Sequence, residues 1–141
     1  MNNVKIRPAR EEDLLQCEKI FDLPELATAS GNKLPVAYLK HFLDEKYFLV
    51  AVEGEKVVGA IYGEVLNAGG LMMWALAVLP DYREKGVGAC LLETFEQHAK
   101  ADNRKWLVLH ASTKTDKTVL FYKKHMYNIG NHYIECAKDL V

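Results

Sequence analysis

The chain has 141 residues, 50% apolar and 26% charged, which suits one domain with a buried core and is too apolar for a disordered chain. Eighteen basic residues against 19 acidic ones give a net charge of −1, so there is no broad basic field for nucleic acid or an anionic membrane. Cys17, Cys90 and Cys136 are odd in number and widely spaced, which excludes a disulfide framework and a paired CxxC zinc site. The stretch MNNVKIRPAREEDLL has no apolar signal region, and no run approaches the roughly 20 apolar residues of a membrane span. The expectation is a single cytoplasmic domain over residues 1–141, with free thiols.

In chain order, residues 3–7 read as a short strand that Pro8 ends. Asp13 is expected either to cap a helix or to sit with Glu11 and Glu12 in a solvated first turn. Leu14, Cys17 and Phe21 then recur at helical spacing, and Pro24 breaks that helix. Residues 22–34 read as a loop, followed by a second helix over 35–43 with Val36, Leu39 and Leu43 on one face. An antiparallel meander comes next, with strands at 46–53, 57–66 and 71–79 and turns at Gly54 and at Asn67-Ala68-Gly69-Gly70. The third strand is apolar almost throughout, which predicts burial on both faces. A helix over 86–100 carries Val87, Leu91, Phe95 and Ala99 on one side. A buried strand at 105–111, a helix at 115–125 and a last strand at 132–140 complete an α+β, mixed α/β plan around one sheet.

The segment from Leu76 to Leu92 runs strand, turn, helix, with Gly86 and Gly88 opening the helix and Arg83 and Lys85 adding positive charge. The first turn of a helix carries unpaired N–H groups and a partial positive charge, so it can receive phosphate. A dinucleotide GxGxxG is not met, because Leu91 stands where a small residue is needed and Val108 where an acid should hold the ribose. A P-loop is not met either, since GK[ST] is absent. Arg83, Gly86 and Gly88 satisfy Arg-x-x-Gly-x-Gly, which alone also fits a plain strand-to-helix connection.

Three segments in order change that balance. Ile6-Arg7-Pro8-Ala9 with Glu12-Asp13-Leu14, then Leu76-Ala77-Val78 with Pro80-Asp81-Tyr82-Arg83, then Leu120-Phe121-Tyr122-Lys123-Lys124, resemble the opening, motif A and motif B of the GCN5-related N-acetyltransferases, the GNAT superfamily. The resemblance spans nearly the whole chain. It implies a GNAT-like fold with a mostly antiparallel, splayed central sheet and flanking helices, and acetyl transfer from acetyl-CoA to an amine without metal. By matching position it implies that the backbone of Arg83, Glu84, Lys85, Gly86, Val87, Gly88 and Ala89 holds the CoA pyrophosphate. Backbone near Leu76, Ala77 and Val78 would meet the acetyl group and pantetheine arm, and Tyr122 would be the general acid to the CoA sulfur. Thr115 stands where the family often has an asparagine that touches CoA.

His110 falls where some members carry a glutamate base, and an imidazole changes charge near neutral pH; a structural histidine at a strand end is the equal alternative. Glu64 is the second candidate base, against the plainer reading of an outward-facing charge. Met126-Tyr127 replaces the family's Gly-Phe, which moves the left-handed helix stop elsewhere, to Asn128. His41, His98, His125 and His132 lack metal-ligand spacing, Cys90 reads as a buried apolar residue, and Trp74, Trp106, Met72 and Met73 read as core. The competing functions are a non-catalytic acyl-CoA sensor and a scaffold domain. The amine acceptor is expected between residues 22–34, the helix at 35–43 and the last strand. A short last strand would leave a sheet edge for a second chain, giving a homodimer, unless Lys138 and Asp139 blunt that edge.

Overall fold

Four β-rich segments pair with their neighbours in sequence, the last three of them joined by short turns, and a fifth reaches the sheet only through a helix. The structure is a computed structural model that describes residues 3–23, 35–43 and 46–140. Strands β1 (Val4–Pro8), β2 (Phe48–Glu53), β3 (Lys56–Val65) and β4 (Gly70–Val78) lie side by side in chain order, all antiparallel. β5 (Trp106–Leu109) joins β4 in parallel, which requires a crossover, and α3 (Val87–Ala101) supplies it. Helices α1 (Leu14–Phe21) and α2 (Val36–Lys40) pack on one face. α3 and α4 (Asp116–Lys124) pack on the other.

Strand alternation sorts the core into two layers. On the first face Leu14, Cys17, Ile20, Phe21, Leu39 and Phe42 meet Phe48, Val50, Ala60 and Tyr62. On the second, Leu91, Leu92 and Phe95 of α3 and Tyr122 of α4 meet Leu49, Val58, Ile61, Leu71 and Met73. Burying a side chain the size of Leu or Phe contributes about 1.5–3 kcal/mol, so the sheet between these layers is held from both sides. No helix among the described residues is long and apolar enough to cross a membrane.

The expected order of elements is present up to α4, and the departures have physical causes. The loop expected over 22–34 and the break at Pro24 fall, apart from Asp22 and Leu23, outside the described residues. Asp13 is not solvated: it is 4% exposed and takes two bonds from the Arg7 guanidinium, at 2.7 and 2.9 Å, and one from the Arg10 N–H at 2.8 Å. The strand expected at 132–140 does not form; residues 127–140 have no regular secondary structure and lie mostly exposed. β5 is consequently an edge strand, half-exposed rather than buried. Trp106 is therefore not core: it is 46% exposed, with its Nε1–H donated to the Ala68 carbonyl at 3.3 Å.

α4 stops one turn earlier than Asn128. Met126 itself takes the left-handed conformation, with φ +69°. The Tyr127 N–H donates to the Tyr122 carbonyl at 3.0 Å and the Met126 N–H to that of Lys123 at 3.1 Å. These two bonds define a Schellman stop, and the ring contact between Tyr122 and Tyr127, with centroids 5.5 Å apart, supplies its apolar clasp.

Candidate active site

The sheet forks at the middle of β4. β5 pairs with β4 only from Gly70 opposite Trp106 to Met73 opposite Leu109. From Ala75 to Val78, β4 continues against β3 alone. At the fork the register slips: Tyr62 faces Ala75 and Gly63 faces Met73, so Trp74 is an extra residue on β4, a β-bulge. Leu76, Ala77 and Val78 thus lie on a strand stretch whose outer edge has no pairing strand among the described residues, so backbone groups there can serve a ligand.

The turn after β4 is tied back to that strand. A short 3-10 turn spans Pro80–Tyr82, and the Arg83 Nε–H donates to the Val78 carbonyl at 2.9 Å. Tyr82 is anchored by its hydroxyl, which donates to Glu53 at 2.8 Å, and by Lys56 and Lys85, whose ammonium groups sit 5.3 and 5.8 Å from the ring centroid. Glu84 and Gly86 both take positive φ, +60° and +86°, and Gly86 caps α3 in a conformation that costs a glycine little. The first bond into the helix runs from the Cys90 N–H to the Gly86 carbonyl at 3.0 Å. The N–H groups of Val87, Gly88 and Ala89 precede it and point out of the helix start, where the helix dipole favours an anion. A Cβ on Gly88 would meet Val78 and Phe121 only at ordinary contact, 3.7 and 3.8 Å.

α4 borders this turn. Thr115 is the N-cap of α4: its hydroxyl accepts from the Lys117 N–H at 3.0 Å, so it has a capping role where the family often has an asparagine. The Lys117 ammonium lies 3.4 Å from Glu84, linking α4 to the turn. Tyr122, on the next turns of the helix, is 7% exposed and stacked edge-on to Phe121 and Tyr127. Burial pushes its phenol well above the usual tyrosine range, which keeps it protonated. His110 follows the last residue of β5, exposed, with its ring centroid 6.1 Å from that of Tyr133. Cys90 is half-buried in α3 rather than fully buried. Among the described residues no cluster of His, Cys, Asp or Glu could hold a metal ion.

The structure therefore gathers the predicted β4 residues, the 83–89 turn, Thr115 and Tyr122 around one end of the sheet. It does not bring Glu64 to Tyr122. Glu64 lies on the α1/α2 face, bonded to Trp74 and close enough to Tyr62 to act on its charge, whereas Tyr122 belongs to the layer under α3 and α4. The Trp74 side chain is the feature that sequence reasoning missed. The apolar run around it reads as core, yet the bulge leaves it 43% exposed at the fork. Met72 and Met73 are buried as expected.

A forked mixed sheet with a glycine-opened, anion-receptive helix at the fork can hold an extended ligand that carries a phosphate group. The family model described as "Acetyltransferase (GNAT) domain" matches residues 44–128, and the chain belongs to the GNAT acetyltransferase family. Among solved structures it is similar to Ard1 from Thermoplasma volcanium, at TM-score 0.80 and 24% identity over 92% of this chain and 85% of that one. It is similar to Arabidopsis thaliana Naa50 in complex with the bisubstrate analogue CoA-Ac-MVNAL, at TM-score 0.74 and 22% identity over 92% and 85% of the two chains. It is also similar to the aminoglycoside acetyltransferase meta-AAC0020 from an uncultured soil metagenomic sample, in complex with sisomicin, at TM-score 0.76 and 19% identity over 99% and 98%.

Proposed function

We propose that this chain is an acetyl-CoA-dependent N-acetyltransferase that transfers the acetyl group to a primary amine by direct attack. The observation that carries the reading is the conjunction of the forked sheet with the open N–H groups of residues 87–89 at the same end. The residues present suit the co-substrate: the 83–89 turn would take the pyrophosphate, and the outer edge of β4 at Leu76, Ala77 and Val78, which no neighbouring strand covers among the described residues, the pantetheine arm and acetyl carbonyl. Family membership and the CoA moiety in the Naa50 complex support the same assignment.

In the reaction the neutral amine nitrogen bonds to the acetyl carbon, and the carbon–sulfur bond breaks. His110 takes the proton that the attacking amine loses, directly or through water. Backbone N–H groups on the free edge of β4 stabilise the tetrahedral oxyanion. Tyr122, which burial keeps neutral and protonated, gives its phenolic proton to the departing thiolate and regains one from water. The acceptor is a small-molecule or protein amine; an aminoglycoside in one neighbour and a peptide-like analogue in another mark the range. A second copy of the chain, pairing at β5, completes the proposed assembly.

The reading is tested by acetyl-CoA calorimetry and by CoA release with a panel of amines. Acetyl-CoA should bind the wild-type chain, and at least one amine should release CoA. Gly88→Ala fits the space at the helix start and serves as the fold control, whereas Gly88→Val adds methyl groups over the open N–H groups. Acetyl-CoA affinity should fall at least about tenfold in folded Gly88→Val. Equal affinity in wild type and Gly88→Val overturns the site, and binding without CoA release from any amine makes the chain an acyl-CoA sensor instead.

A further inference from the structure

The β4 edge proposed for the thioester arm already has one of its acceptors occupied. The Leu79 N–H donates to the Val58 carbonyl at 2.8 Å, so Leu79 faces β3. The alternation of an antiparallel ladder then turns the N–H and C=O of Val78, opposite Gly59, the other way. They point outward beyond the last β5 pairing at Met73, where no strand covers β4 among the described residues. The Val78 carbonyl is the acceptor of the Arg83 Nε–H at 2.9 Å. The backbone that carries Arg83 is held on both sides. Its own N–H donates to the Pro80 carbonyl at 3.2 Å, and Tyr82 before it is tied to Glu53. Glu84 after it takes φ +60°, with its carboxylate 3.4 Å from the Lys117 ammonium. The Arg83 side chain is exposed, so it can leave Val78 without moving the turn.

The guanidinium therefore belongs to a turn that joins the two ends of one proposed site. At one end is the Val78 carbonyl, an acceptor for an amide N–H of a pantetheine arm. At the other is the start of α3, where the N–H groups of residues 87–89 suit a pyrophosphate. A guanidinium bonds phosphate more strongly than a neutral carbonyl, because both partners are charged and two parallel bonds form. An arm without phosphate has to break the bond between Arg83 and Val78 and offers the guanidinium no charge in return. We propose that Arg83 is a phosphate-released latch on the β4 edge. It occupies the arm site in the free chain, and the pyrophosphate of acetyl-CoA draws it away. The latch makes the chain select CoA thioesters over thioesters that carry the arm without a pyrophosphate. This assignment rests on the acetyl-CoA site proposed above and deepens it to what that site rejects.

The probes are S-acetylpantetheine, which has the arm and the thioester but no phosphate, and inorganic pyrophosphate. Calorimetry on the full chain should show S-acetylpantetheine binding Arg83→Ala at least about threefold more tightly than wild type, the low side for a charge-assisted bond because this one is exposed. An arginine that served only to hold phosphate would leave that affinity unchanged. In wild type, saturating pyrophosphate should tighten S-acetylpantetheine by a similar factor, and S-acetylpantetheine should tighten pyrophosphate equally. In Arg83→Ala this coupling should vanish, with an unchanged Tm as the sign of an intact fold. Arg83→Met keeps the length of the stem without donor or charge, and should behave as Arg83→Ala does. Equal S-acetylpantetheine affinity in wild type and both variants, or no coupling in wild type, overturns the latch. Acetyl-CoA that fails to bind the wild type overturns the cofactor site itself, so the two failures are distinct.

Discussion

At the scale of single residues, the contrast between Asp13 and Tyr122 shows how burial acts on an acid with and without a partner. Burial pushes the Asp13 carboxyl up, but the Arg7 guanidinium and the Arg10 N–H bind its charged form and leave it below its ordinary value. A depressed carboxylate contributes stability that is present above the unfolded pKa of about 3.8 and is lost as the pH falls through the lower folded value. Urea unfolding at pH 7 should find Asp13→Ala destabilised by about 3 kcal/mol, the low end for a broken buried pair because the Arg7 side chain is a quarter exposed. The wild type should lose stability from about pH 4 downward, and Asp13→Asn should flatten that acid limb; an unchanged limb would mean that another carboxylate sets it. Tyr122 has only desolvation acting on it, and so keeps its proton. Tyr122→Phe retains the ring contacts and removes that proton. Steady-state kinetics should show kcat lowered at least about tenfold, the lower side of the range for a positioned acid because water substitutes in part, while acetyl-CoA affinity barely moves. His110→Ala should lower kcat while acetyl-CoA affinity holds. A Tyr122→Phe enzyme that turns over at the wild-type rate, with chemistry rate-limiting, reduces the tyrosine to packing.

At the scale of elements, the end of α4 carries a cost that one substitution removes. Met126 sits in the left-handed region, where a Cβ is unfavourable by about 1–2 kcal/mol, and its side chain lies exposed. Met126→Gly should therefore raise stability by about 1 kcal/mol, read as a rise of about 4 °C in Tm. No rise would show that the methionine side chain contributes contacts that offset its backbone. This stop is hard to see in the sequence, because a Schellman motif is normally signalled by glycine or asparagine and here a methionine fills the position. The α3 stop is more legible, with Asn103 in the left-handed position at φ +57°. The 83–89 turn is legible for the same reason: Gly86 and Gly88 announce a positive φ and a close approach. The β4 bulge is not, since the run Leu71–Val78 is apolar on both sides of the slip and only the pairing with β3 reveals that Trp74 is the extra residue. Asp13 looks like any acid in a first turn until Arg7, on a different element, folds over it.

For the whole molecule, the fork sets the proposed cofactor site at one end of the sheet, toward α3 and α4. The same sheet leaves one strand edge unsatisfied. β5 has a partner on one side only, and Trp106 and Val108 are exposed along it. Residues 127–140, which do not pair with it, carry exposed Tyr133, Ile134 and Leu140. An uncovered apolar edge beside an unpaired, apolar-bearing segment favours association, because a second copy can satisfy the open N–H and C=O groups and cover the side chains together. Lys138 and Asp139, which would blunt the edge of a paired last strand, lie in the stretch 127–140, which forms no ladder with β5. Light scattering at micromolar concentration should give twice the mass of one chain. Val108→Lys places a charge on the outer edge without touching the buried layers, and should shift the mass toward that of one chain while the acetyl-CoA affinity holds. A wild-type chain that scatters as a monomer across this concentration range rejects the edge as an interface, and leaves β5 protected within a single copy.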